Sequence, residues 1–221
     1  MEIVVVFVVV LVLVGIICAF YAAAKRRKTL SAWAMSNGLS FDPSKDRHID
    51  DRFAEFKCLR QGSSRHAYNV MEGDWSGLAI TAFDYRYETG SGKNRSVHHF
   101  SAVILASPIP LKPLYIRREG FFDKLTEFFG LDDIDFESAE FSRRFYVKSA
   151  DRRWAYDVIH QRMMEYLLSG PDFALQFDRG HVIAWRSGTF HPADFATAAE
   201  FIRGIYDRLP EYLVRRQEGQ G

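Results

Sequence analysis

The sequence predicts an α+β protein: one N-terminal transmembrane helix, then an antiparallel β-rich sheet packed with two longer helices. Three observations carry this. From Ile3 to Ala24 no side chain is charged. Between Ala67 and Ala106, apolar and aromatic runs are separated by short Gly-bearing connections. From Ala150 onward apolar residues recur at helical spacing. Strands first and helices afterwards is the order of an α+β chain, not the alternation that builds a parallel sheet.

The apolar segment comes first. At 1.5 Å rise per residue it spans roughly 33 Å, against a hydrocarbon core of about 30 Å. A helix apolar all round suits lipid, where the backbone must satisfy itself and no face needs water. Lys25, Arg26, Arg27 and Lys28 follow at once, while only Met1 and Glu2 precede. The positive-inside rule then predicts an N-terminus outside and a cytoplasmic C-terminal domain, in a cell inner membrane. A cleaved signal peptide, with Ala22-Ala23-Ala24 as its small-residue site, is the rival reading. It wants a basic leading region and a shorter apolar core than this chain has. Cys18 lies within the helix and Cys58 has no partner beyond it, so no disulfide framework is expected.

Residues 1–28 therefore read as anchor with basic flank, 29–52 as helix and linker, 53–213 as a single α+β domain and 214–221 as a flexible tail. Lys25 to Asn37 continues the helix, with Leu30, Trp33 and Ala34 on one side and Gly38 as its stop. Phe41 to Asp51, polar and broken by Pro43, reads as linker. Strands are expected at Ala67–Glu72, Leu78–Glu88 and Val97–Ala106, turning at Gly73-Asp74 and at Thr89–Asn94. Period-two alternation sets Phe83, Tyr85 and Tyr87 on one face and Ile80, Ala82, Asp84 and Arg86 on the other. Pro108, Pro110 and Pro113 should break the sheet and leave Leu114–Arg117 as a short edge strand.

A short helix is expected over Phe121–Phe129 and a strand over Phe136–Val147. The spacing of Trp154, Val158, Ile159, Met163 and Leu167 predicts one long helix from Ala150 to Leu168. Phe173–Asp178 and Val182–Arg186 read as a hairpin across Arg179-Gly180. His191-Pro192 opens the last helix, with Phe195, Ala198, Ala199, Ile202 and Ile205 on its apolar face.

Three stretches taken together, Asn69–Gly73, Phe83–Lys93 and Glu140–Asp151, are similar to a family of uncharacterised bacterial membrane-anchored proteins, in which a hydrophobic N-terminus precedes a domain of unknown function. The resemblance covers roughly Phe53 to Trp185. It implies a bacterial source and carries no activity or site residue with it.

Charge supports no nucleic-acid partner: 29 basic residues stand against 28 acidic, a net charge of +1. The 19 Phe, 10 Tyr and 4 Trp argue for a packed core. Thr89-Gly90-Ser91-Gly92-Lys93-Asn94 lacks the spacing of a phosphate loop: the first glycine position is Tyr87 and Asn94 replaces the metal-binding hydroxyl. No nucleotide is expected there. Lys93 and Arg95 are candidates for an acidic partner or lipid phosphates. His98 and His99 alternate across a strand, and His160 and Cys58 lack companions, so no metal site is expected. Asp132, Asp133, Asp135, Glu137 and Glu140 are expected to lie on solvated strand faces and to exchange cross-strand ion pairs with Arg143, Arg144, Arg152 and Arg153. Asp84, beside Arg86, is the one candidate for a desolvated carboxylate.

No catalytic, cofactor-binding or metal residue emerges. The expected function is a single-pass membrane protein with a cytoplasmic interaction or scaffolding domain, its partners the bilayer through residues 3–24 and an unidentified protein. The alternatives are a membrane-tethered hydrolase-like enzyme and an anionic-lipid surface sensor.

Overall fold

In the computed structural model, residues 2–120 and 133–213 are described. Helix α1 runs without a break from Glu2 to Ser36 and stops at Gly38, whose φ of +72° is a conformation glycine adopts freely. Its first part buries nothing: Val4 to Ala24 are all exposed, and α1 is the one described helix long and apolar enough to cross a membrane. Its last part is core. Leu30 and Ala34 are fully buried, and Trp33 stacks on Trp75 at 6.1 Å and packs at a tilt against Phe195 at 5.8 Å.

Six antiparallel strands form the sheet: β1 (Ser40–Asp42), β2 (Ser63–Trp75), β3 (Leu78–Thr89), β4 (Ser96–Arg118), β5 (Phe145–Lys148) and β6 (Ala174–Ser187). They pair in the order β1-β2-β3-β4-β5, and β6 lies along the other side of β4. The β-block expectation is met, with one shifted turn. β2 and β3 are joined at Ser76-Gly77, both at positive φ, and Gly73 lies within β2 under Leu39. Two adjacent left-handed residues give the twist that a two-residue hairpin needs.

Several other expectations give way to tertiary structure. Phe41–Asp51 is no linker: β1 pairs with β2, Asp46 bridges Ala67, and α2 (Ile49–Arg52) buries Ile49. The prolines do not break β4, because β3 pairing ends at Leu105 and the pairing to β6 shifts register between Ala106 and Leu114. The irregularity accommodates residues that lack a ladder donor. Leu114–Arg117 is accordingly flanked by β5 and β6 and is no edge. β6 is one strand, not a hairpin, with Arg179 at positive φ where its register shifts.

Phe136–Val147 is only partly strand. Ser138 caps α3 (Ala139–Arg144), accepting the Phe141 amide hydrogen at 3.2 Å, and Phe141 stacks on Phe145 at 4.7 Å, one helical turn later. The long helix is two, α4 (Arg152–Val158) and α5 (Gln161–Ser169). At the break His160 is extended, and its Nε2 donates to the Arg208 carbonyl at 2.9 Å. The expected face still packs, with Trp154, Val158, Ile159, Met163 and Leu167 buried. α6 (Pro192–Tyr206) forms as expected, with a His191–Asp194 capping box. The Phe121–Phe129 expectation lies outside the described residues.

Each sheet face carries its own core. Met71, Ile80, Ala82, Val103, Leu105 and Ile116 meet α1 and α3 to α6 on one side. Phe83, Tyr85, Phe100, Ala102, Ile104 and Trp185 meet Ile49, Phe53, Phe56 and Leu59 on the other.

Candidate functional site

The anchor enters the domain through a buried ion pair. Arg26 Nε donates to Asp84 Oδ2 at 2.8 Å and Nη2 to Oδ1 at 2.6 Å, while Nη1 donates to the Phe190 carbonyl at 2.8 Å. The Asp84 side chain is 0% exposed and that of Arg26 24%. Asn69 Nδ2 donates to Oδ2 at 2.8 Å and Ser101 Oγ to Oδ1 at 2.5 Å. Ser101 Oγ in turn accepts the Phe190 amide hydrogen at 2.9 Å, tying in the approach to α6.

The local fold makes this arrangement. A bulge in β2 sets Tyr68 opposite Asp84 but Met71 opposite Ala82, one residue more on β2 than on β3. The odd residue, Asn69, adopts φ +53°, which Asn tolerates better than most, and the bulge aims its amide at Asp84. Burial and the nearby Asp84 charge push the Tyr68 phenol up to about 12.

The alternation expected for β3 holds, since Asp84 lies on the face opposite Phe83 and Tyr85. Its partner is not the expected one. Arg86 pairs with Glu88 at 2.7 Å, and Asp84 takes Arg26, 58 residues earlier. A carboxylate receiving a bidentate guanidinium and two further donors has no lone pair left for proton abstraction, so this centre is a joint rather than a general base. Sequence reasoning read Arg26 only as flanking charge. The available signal was position: Arg26, Leu30 and Ala34 recur every four residues and share one face.

Beyond Asp84, β3 leads to the hairpin Gly90–Asn94. Gly90 has φ +74°, and a Cβ there would strike the Asn94 carbonyl. This loop joins two antiparallel strands, and Lys93 is exposed on it. Arg95, expected to be available, instead donates to Glu88 Oε1 at 2.5 Å. That bond, with Arg86, holds the Glu88 carboxyl down near pKa 2.

A partly enclosed cavity of about 290 Å³ lies at the same end of the sheet, among Tyr87, Thr89, His98, Trp185, Gln61 and Ser187. Cys58, buried, also lines it. Tyr87 and His98 stack at 4.8 Å, and His98 Nε2 lies 2.7 Å from Thr89 Oγ1. His99 also lines the cavity; its Nδ1 lies 3.4 Å from Tyr68 Oη, and burial lowers its pKa.

The acidic run serves the fold. Asp133 Oδ1 accepts from the amides of Ile134 at 3.0 Å and Val147 at 2.8 Å, and burial raises its pKa. Glu140 pairs with Arg144 along one helical turn, not across strands as expected, and Asp132 lies outside the described residues. Among the described residues no cluster of three His, Cys, Asp or Glu side chains has the geometry of a metal site.

No family model and no curated protein matches the chain. A solved structure does resemble it: the crystal structure of the mycobacterial trehalose monomycolate transport factor A, TtfA, at a TM-score of 0.59 and 14% identity. The match covers 82% of this chain and 92% of that one, and at this identity it shows a shared fold.

Proposed function

We propose that this chain is a non-enzymatic accessory factor of a bacterial inner membrane, whose cytoplasmic domain is mounted in one fixed attitude to the bilayer to engage a membrane partner. The Arg26–Asp84 joint carries the reading. A membrane enzyme needs only a tether, whereas here the anchor's own continuation supplies core residues and a guanidinium to the sheet. The flank Lys25, Arg27 and Lys28 stays exposed and favours the cytoplasmic side for the domain. The fold shared with a trehalose monomycolate transport factor is in keeping with an accessory part in transport, and the resemblance to bacterial membrane-anchored proteins fits that setting. The rival charge-sensing role loses ground because Arg26 and Arg95 are already paired inside the protein.

The test is a flexible Gly-Ser insertion after Ala24, with a photo-crosslinking residue at position 93, in intact cells. Cross-links to membrane proteins made by the wild type should vanish with the insertion while the protein stays folded and membrane-bound. An unchanged set of cross-links would contradict a fixed mounting. Topology is checked separately: Tyr212→Cys in a chain lacking Cys18 and Cys58 should resist an impermeant maleimide until the membrane is opened.

A further inference from the structure

We infer that the outer face of α1, at the edge of the bilayer, is a binding site for the phosphate of an anionic phospholipid, held between Lys25 and Lys28. This concerns the anchor, and it rests on the placement of α1 in a membrane rather than on the mounting of the domain. Tyr21, Ala24, Lys25, Lys28, Thr29 and Ala32 frame an open groove of about 710 Å³ along the helix. At about 100° of turn per residue, the groove lies on the side of α1 opposite Arg26, Leu30 and Ala34. The domain therefore covers the inner face and leaves the groove to the lipid. Ala24 and Ala32 are its small floor residues, and Tyr21, Lys25 and Lys28 its long walls.

Position and charge select the occupant. The apolar segment ends at Ala24, and Lys25 to Lys28 rise only about 1.5–6 Å past it, within a headgroup layer of about 5–8 Å. Helical side chains lean toward the N-terminus, which here is the bilayer side, so both ammonium groups are carried toward the level of the lipid phosphates. Tyr21, 72% exposed, stands one turn nearer the hydrocarbon, where an amphipathic ring suits the boundary. Among the described residues Lys25 and Lys28 have no carboxylate partner, whereas Arg26 is taken by Asp84. The two lysines, three residues apart, are neighbours on the helix surface, while Arg27 lies about 100° round from Lys28 and outside the groove. A headgroup carrying an ammonium would meet two like charges. Thr29 Oγ1 donates to the Lys25 carbonyl at 3.0 Å and keeps its lone pairs for a headgroup hydroxyl. The chemistry that fits is a phosphodiester with an uncharged, hydroxyl-bearing head, as in phosphatidylglycerol.

The experiment uses the full-length protein in nanodiscs holding phosphatidylcholine and phosphatidylglycerol in equal amounts, with retained lipids counted by native mass spectrometry. Phosphatidylglycerol should be retained roughly ten-fold over phosphatidylcholine, and Lys25→Gln combined with Lys28→Gln should bring the two lipids level. Lys28→Gln alone should lower the preference several-fold. Arg27→Gln removes the same charge one position earlier and should leave the preference in place. Equal losses in those two single variants would overturn the site in favour of diffuse charge. Millimolar glycerol 1-phosphate should not displace the lipid, and abolition of the preference by it would overturn a lipid as the occupant. Insertion is read separately, by co-elution with the nanodiscs. An inserted wild-type chain with no lipid preference overturns the site alone, whereas a chain that fails to insert overturns the placement beneath it as well.

Discussion

α1 is one helix in two surroundings. Val4 to Ala24 expose every side chain, with Phe7 at 62% and Phe20 at 74%, whereas Leu30 and Ala34 eight and four residues short of Gly38 are at 0%. The backbone is identical in both parts, so secondary structure does not distinguish them. Side-chain pattern does. The first part has no polar face, as lipid requires. The second has a narrow stripe of Arg26, Leu30 and Ala34, which protein covers together with Trp33 beside it. The change of surroundings falls within the basic cluster, where one of four cations turns inward and three stay out.

The largest expected effect is at that inward cation. Arg26→Ala leaves Asp84 buried without its counter-charge and should destabilise the domain by about 3–5 kcal/mol in denaturant titrations of the full chain. Arg27→Ala, one residue away and exposed, should stay within about 0.5 kcal/mol. Equal effects of the two would erase the distinction between them. Next is Leu30→Ala, where a buried truncation should cost about 3 kcal/mol, against no change in domain stability for Leu11→Ala in the exposed part.

A smaller, pH-dependent effect is expected at the hairpin end. The folded Glu88 carboxyl titrates near pH 2, below its ordinary 4.5, so its pairing stabilises the fold above the unfolded value and is lost as pH falls through the folded one. The melting-temperature gap between wild type and Glu88→Gln should therefore be full above pH 5 and close toward pH 2. A gap independent of pH would mean that Arg95 and Arg86 are not its source. Smallest of all, Lys93→Ala should leave stability within about 0.5 kcal/mol, as for an exposed hairpin residue.

What was legible in the sequence was what local pattern encodes. The anchor, the three-strand meander, the alternation in β3 and the capped start of α6 all follow from spacing and end signals within a dozen residues. The misreadings share a cause, which is contact between distant segments. The prolines of β4 are tolerated because its pairing is irregular there, and the break at His160 is held by a carbonyl 48 residues later. α3 was a different failure: the Phe141 and Phe145 spacing and the Ser138 cap were both visible, and a period of two was chosen where one helical turn fitted. At the site, Asp84 was singled out and its strand face was right, but its partner was not. Arg26 sits in a cluster whose charge already has a topological explanation, which hid its second role.

The central claim is that anchor and domain form one rigid body through the Arg26–Asp84 joint. The most direct measurement is a double electron–electron resonance distance between spin labels at Ala22→Cys on the anchor and Lys93→Cys on the hairpin. Both positions are exposed, and Cys18 and Cys58 are replaced beforehand. The full chain in nanodiscs should give a single narrow distribution, which Arg26→Ala broadens while the anchor stays inserted. A broad distribution in the chain that retains Arg26 would contradict the account.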